Sequence, residues 1–177
     1  VRTIESIVRM DLAFSLFCLS HRFNLQVATI SRWVSRTGDG HLYLLLTLGT
    51  WLLERESGSQ FMSAALLAFA IELPVYWLTK NSFKRRRPRE FSQLLQAYIT
   101  PSDRYSLPSG HTAAAFLMAT IIGHFYPAWF EISLLWAVFI GTSRILLGVH
   151  FLTDVVIGAL LGFAAAQLAL SHVLEFI

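Results

Sequence analysis

Two histidines, one aspartate and three cations carry the chemistry that this sequence can do. His150 and Asp154 are four residues apart, a spacing that puts both on one helix face, where the carboxylate can orient the imidazole and stabilise its cation. The plainer alternative is an interfacial ion pair that closes a membrane span. Ser143 and Arg144 lie just upstream. In Leu107-Pro108-Ser109-Gly110-His111, Pro and Ser resemble the start of a helix, whose exposed N–H groups make an anion site. Gly110 would let the backbone approach a ligand closely. On the plainer reading Ser109 is a helix cap and His111 an interfacial histidine. Lys80 and Arg87 are seven apart, so on a helix they share a face, and Arg can grip phosphate oxygens bidentately. Pro88 would end that helix or turn.

The stretch 80–108 holds seven of the fourteen basic residues against Glu90 and Asp103, a net charge of +5. Such a cluster is either an anion site or the mark of a cytoplasmic loop. The chain has a single cysteine, Cys18, which excludes an internal disulfide and a multi-cysteine zinc site. No Asp/Glu cluster suited to Mg²⁺ stands out, so neither a metal nor another cofactor is expected.

The elements that position these residues follow from hydropathy. Of 177 residues, 55% are hydrophobic and 14% charged, unlike an ordinary soluble domain. Residues 105–130 and 155–174 contain no Asp, Glu, Lys or Arg, and each is long enough to cross a hydrocarbon core of about 30 Å. Residues 41–53, 59–79 (interrupted by Glu72) and 131–149 (interrupted by Arg144) read as further spans. The expected architecture is all-α: one membrane-embedded domain over 1–177, with about five transmembrane helices in 41–177. Helices suit apolar runs of this length better than the alternation of a barrel.

Residues 1–40 mix apolar positions with Arg2, Arg9, Arg22, Arg32 and Arg36, a pattern expected to lie on the membrane. The apolar stretch 12–20 is short and runs into His21 and Arg22 rather than small residues, unlike a signal peptide. Val1 fits a missing initiator or an alternative start codon. Five alternating helices would bring Lys80, Arg87, Ser109, His111, Arg144 and His150 to one membrane face. Glu72 inside a span is expected to be structural or to line a substrate path. His124 and His172 near span ends are expected to be interfacial, and Trp and Tyr at span ends to be anchors.

Together the three pieces resemble the type 2 phosphatidic acid phosphatase superfamily, whose signatures read Lys-x6-Arg-Pro, Pro-Ser-Gly-His and Ser-Arg-x5-His-x3-Asp. All three occur in order, at Lys80 to Pro88, Pro108 to His111 and Ser143 to Asp154, with no signature position substituted. Many members have six spans, whereas this chain is expected to lack the first. The resemblance implies an integral membrane, metal-independent lipid phosphatase. His150 would be the nucleophile that forms a phosphohistidine, Asp154 its orienting base, and His111 the acid that then activates water. Lys80, Arg87, Ser109, the Gly110 N–H and Arg144 would cradle the phosphate.

The resemblance leaves the lipid open among phosphatidic acid, phosphatidylglycerol phosphate, undecaprenyl pyrophosphate and lipid A phosphates. The implied partners are that substrate and the bilayer, without nucleic acid, and the oligomeric state is left open. Vanadium-dependent haloperoxidases share a similar site but are soluble and larger. A phosphate or phospholipid transporter could use the same basic cluster, yet binding alone does not require two histidines and an orienting acid. The basic 80–108 loop favours a cytoplasmic site by the positive-inside rule, whereas bacterial relatives commonly act on the periplasmic face. Because Lys80 and Arg87 are assigned to substrate, the expectation is a bacterial inner-membrane protein with an outward-facing site.

Overall fold

The computed structural model describes residues 2–20, 24–54 and 57–175. Arg22, named above among the basic residues of 1–40, lies outside them. Among the described residues the secondary structure is helical: α1 Arg2–Leu19, α2 Asn24–Arg36, α3 Gly40–Leu53, α4 Gly58–Phe83, α5 Pro88–Phe91, α6 Gly110–Phe125, α7 Phe130–Leu146 and α8 Leu152–Glu175, with a 3₁₀ turn at Pro127–Trp129 before α7.

Among the described residues three stretches are long and apolar enough to cross a membrane: Gly58–Phe91, which contains α4, Pro127–Leu146, which contains α7, and Leu152–Val173 within α8. At 14 and 16 residues, α3 and α6 extend for about 21 and 24 Å, against the roughly 30 Å of a hydrocarbon core. The charge-free run 105–130 is therefore not one long helix. Its first residues form the loop that ends at Ser109, and the rest is divided at Tyr126 between α6 and the 3₁₀ turn that leads into α7.

Helix α6 is the centre of the bundle, packed on α8, α7 and α4. Small residues make that packing close: Ala64, Ala65 and Ala68 of α4, Ala113, Ala115 and Ala119 of α6, and Ala165, Ala166 and Ala169 of α8 are all buried. In an apolar solvent such residues let helix backbones approach and gain dispersion contact. Large apolar side chains stand on the outside instead, among them Leu45, Leu52, Leu66, Trp77, Leu78 and Leu160. That inversion suits a lipid surround.

The first two helices are amphipathic in an unusual sense. On α1 the buried positions are Asp11, Ser15 and Leu19, and on α2 they are Ala28, Ser31 and Ser35, while Phe17, Leu25, Ile30 and Trp33 are exposed. Each helix thus turns a narrow face of small or polar residues inward, onto α7 for both and also onto α8 for α1. Tyr43 differs from the anchoring expectation, since it is buried.

Candidate active site

Helix α4 delivers Lys80 on its last turn and then ends, because Lys84 turns into the left-handed region (φ 46°) and Pro88 opens α5 with Arg87 as its N-cap. Lys80 and Arg87 therefore do not share one helix face, as their spacing alone suggested. Both nevertheless converge on Asp103 in the loop before α6. Lys80 Nζ donates to Asp103 Oδ2 at 2.8 Å and to the Tyr76 hydroxyl at 2.6 Å, and Tyr76 donates to the same carboxylate oxygen at 2.8 Å.

Arg87 binds protein acceptors with most of its donors. Nη1 donates to Val149 O at 2.6 Å, and Nη2 to Asp103 Oδ1 at 2.6 Å and Tyr105 O at 3.0 Å. Nε donates to Asp103 O at 3.2 Å, leaving a single Nη1 hydrogen uncommitted. Arg87 thus ties the loop before α6 to the connection between α7 and α8. Burial pushes the Asp103 carboxyl up, but Lys80, Tyr76 and Arg87 more than offset this and hold it below the usual carboxylate range.

Ser109 is the N-cap of α6 without a capping hydrogen bond to the backbone; instead the Thr112 hydroxyl donates to its Oγ at 2.8 Å. The Ser109 N–H donates to Asp154 O at 3.0 Å, which pins the second signature to the third. Gly110 begins α6 beside the Tyr76 ring. His111 follows, with Nε2 3.0 Å from Asp39 Oδ1 in the turn before α3.

His150 sits in the connection ahead of α8 rather than on it, so the His150–Asp154 spacing is not a helix-face contact. The pair still meets, with Nδ1 3.7 Å from Asp154 Oδ2. That separation exceeds a hydrogen bond and leaves Nδ1 buried without a partner, a looseness common before substrate binds. Asp154 is itself fixed, because Oδ2 accepts the Phe151 N–H at 2.8 Å and Oδ1 accepts from Arg85 Nη1 at 2.7 Å. Burial lowers the His150 imidazole to about 4, with Arg144 and Arg87 acting in the same sense and Asp154 opposing them. The shift favours the uncharged ring at neutral pH.

Arg144 ends α7 nearby and is held by the Ser35 hydroxyl of α2, at 2.5 Å from Nη1. Its buried Nε has no partner, a donor aimed at nothing in the protein. A cavity of about 200 Å³ joins Arg144 and His111 to Arg32, Ser35, Arg36 and Asp39. A larger one of about 430 Å³ runs from His111 and Tyr76 past Glu72 between α3 and α4, which places Glu72 on an apolar path leading to the site. His124 lines a separate groove between α6 and α8, and His172 lies in the last turn of α8.

Sequence reasoning missed Asp11, Asp39, Tyr76, Arg85 and Asp103 as neighbours of the site. Buried Asp11 was read as part of a surface segment, and its proximity to two prospective spans gave no signal. Gly38 and Asp39 form the turn ahead of α3, and a charged residue between glycines at the mouth of a span is a usable hint.

A family model described as the PAP2 superfamily matches residues 60–176. The chain is 30% identical over 139 residues to the probable lipid phosphate phosphatase beta of Arabidopsis thaliana, covering 62% of this chain and 64% of that protein. It is 28% identical over 159 residues to an acid phosphatase of Zymomonas mobilis, covering 83% of this chain and 59% of that one. The chain thus spans about three-fifths of the length of these curated relatives. Among solved structures it resembles Aquifex aeolicus LpxE with a TM-score of 0.79 at 26% identity, covering 92% of this chain and 95% of that one. The fold also matches a transmembrane PAP2 type phosphatidylglycerolphosphate phosphatase from Bacillus subtilis, with a TM-score of 0.78 at 23% identity over 97% and 88% of the two chains.

Proposed function

The chain belongs to the PAP2 superfamily, and on that premise we propose that it is a metal-independent phosphatase of a membrane lipid, acting through a phosphohistidine as one membrane-embedded domain. The observation that carries the reading is that buried Asp154 backs the His150 ring at 3.7 Å while Arg87 donates to the adjacent Val149 O and Arg144, whose carbonyl accepts the His150 N–H, keeps a buried Nε without a partner. Cations held this way can stabilise a transferring phosphoryl group without a metal ion, since phosphoryl transfer depends mainly on positioning and charge.

In the first step His150 Nε2 forms a bond to phosphorus while the P–O ester bond breaks, and the leaving oxygen takes a proton from His111. Asp154 accepts the Nδ1 hydrogen bond and stabilises the positive charge that develops on the ring. In the second step water attacks phosphorus as His111 takes its proton, the N–P bond breaks, and His150 regains its lone pair. Arg144 Nε, with Ser109 Oγ and the Gly110 N–H, would hold the non-bridging oxygens. A phosphomonoester or pyrophosphate on a lipid fits a site that opens to an apolar path between α3 and α4.

Five helices, α3, α4, α6, α7 and α8, would traverse the bilayer, the shorter two buried at the protein centre or at a thinned edge. The site would face outward from a bacterial inner membrane. Phosphate release in detergent from phosphatidic acid, phosphatidylglycerol phosphate and a polyprenyl pyrophosphate tests the reading. Release that survives chelator supports it. Saturable binding with no release from any of them would point to a transporter and contradict it.

A further inference from the structure

Asp11 is 0% exposed, as is Asp154, and neither carboxylate could be carried there without compensation, because a buried charge must be paired and hydrogen-bonded. Arg85 is the residue that serves both. Its Nη2 donates to Asp11 Oδ2 at 2.6 Å, and its Nη1 donates to Asp154 Oδ1 at 2.7 Å and to the Thr153 hydroxyl at 2.6 Å. Thr153 in turn gives its backbone N–H to Asp11 Oδ1 at 3.2 Å and its hydroxyl to Asp11 Oδ2. Arg85 is fixed from behind as well: its carbonyl accepts the Ser106 N–H at 2.8 Å, and its guanidinium lies 4.5 Å from the Phe151 ring centre.

The charges in this chain matter more than its bonds. Arg85 and Asp154 alone would form a neutral pair, cancelling the negative charge that His150 needs when its ring becomes cationic. Asp11 restores a net charge of −1 to the Asp11–Arg85–Asp154 group while leaving Asp154 Oδ2 free to face His150 Nδ1. We propose that Asp11 and Arg85 are positioning residues for the nucleophile: together they lock the Asp154 carboxylate in place and keep the group behind His150 anionic. This rests on the phosphohistidine reading above. The hydrogen bonds of both side chains run to each other, to Thr153 and to Asp154, and Asp11 lies outside the 60–176 span of the family match.

The test compares Asp11→Asn, Arg85→Gln and the double variant with wild type in detergent, using a lipid phosphate for turnover and vanadate inhibition for the phosphate cradle. Asp11→Asn, nearly isosteric, leaves an unbalanced Arg85 beside Asp154 and should lower kcat at least about tenfold, with the vanadate inhibition constant within about twofold of wild type. The double variant removes both charges and leaves Asp154 at −1. It should recover part of the turnover lost in Asp11→Asn, the non-additivity expected of groups in one network. A purely structural role predicts the opposite, a double variant worse than either single one.

Wild-type kcat in Asp11→Asn overturns the proposal, as does a loss of vanadate affinity equal to the loss of kcat, or a double variant below both singles. If Asp11→Asn does not fold, Thr153→Val cuts the same link without changing charge. A fall in its kcat at unchanged vanadate inhibition supports the proposal, and unchanged kcat overturns it. Wild-type protein that releases no phosphate from any lipid would refute the function reading instead, so the two failures are distinct.

Discussion

Gly158 on α8 faces the first residues of α6 so closely that a Cβ there would lie 2.5 Å from the Ser109 carbonyl oxygen, whereas ordinary contact begins at about 3.4 Å. The atom it meets is backbone, which cannot rotate away. Gly158→Ala must therefore move Ser109 from α8 by roughly 0.9 Å, the difference between those two distances. The same movement stretches the 3.0 Å bond from the Ser109 N–H to Asp154 O, and it displaces Ser109, Gly110 and His111 relative to His150. A misplacement of about 1 Å costs on the order of a hundredfold in rate, so kcat/KM on a lipid phosphate should fall about that much.

Stability should change far less. Overpacking costs about 1–3 kcal/mol, but alanine in a helix interior recovers about 1 kcal/mol over glycine. The assay pairs phosphate release with thermal unfolding in the same detergent. Gly49→Ala on α3, where a Cβ meets nothing within 4 Å, is the control and should keep wild-type activity. Wild-type kcat/KM in Gly158→Ala would refute the argument that this close approach sets the geometry of the site.

Activity should survive excess chelator and be inhibited by vanadate, and the inhibition should weaken in Lys80→Ala and Arg144→Ala. Loss of activity on chelation, restored by Mg²⁺ or Zn²⁺, would count against a metal-free cradle. Asp103, held below the usual carboxylate range by its partners although burial opposes them, contributes stability that is present above its unfolded pKa and lost as pH falls through the lower folded value. The thermal midpoint should therefore drop as pH goes below about 4, and Asp103→Asn should flatten that limb; an unchanged acid limb would contradict it. For orientation, single cysteines at Ser92 and Ser57 in a Cys18→Ser background should label with an impermeant maleimide in intact cells at 92 and not at 57.

Local signals carried much of the site into view. The charge-free runs announced apolar helices, and the Pro-Ser-Gly-His string correctly marks the start of α6 at Gly110. The bonds from Arg87 to Val149 O and from the Ser109 N–H to Asp154 O tie the three signatures together. What the sequence hid are pairings without a period. Arg85 meets Asp11 across 74 residues and Asp154 across 69, and His111 meets Asp39 across 72. Such contacts arise only when α1, α3 and the loop before α6 pack on the core. Lys80 and Arg87 do not share a helix face because a left-handed Lys84 ends α4 between them. The length of α6 was overread because apolar composition continues from Tyr105 into its own loop.

The central claim is that phosphate passes through His150. Rapid acid-avoiding quench of wild type and of His111→Ala during turnover of a ³²P-labelled lipid phosphate tests it most directly. Acid-labile label should appear on wild type, accumulate in His111→Ala if release from the enzyme is slowed, and be absent from His150→Ala, whose turnover should fall by orders of magnitude. Turnover close to wild type in His150→Ala, or label on that variant equal to wild type, would contradict the account.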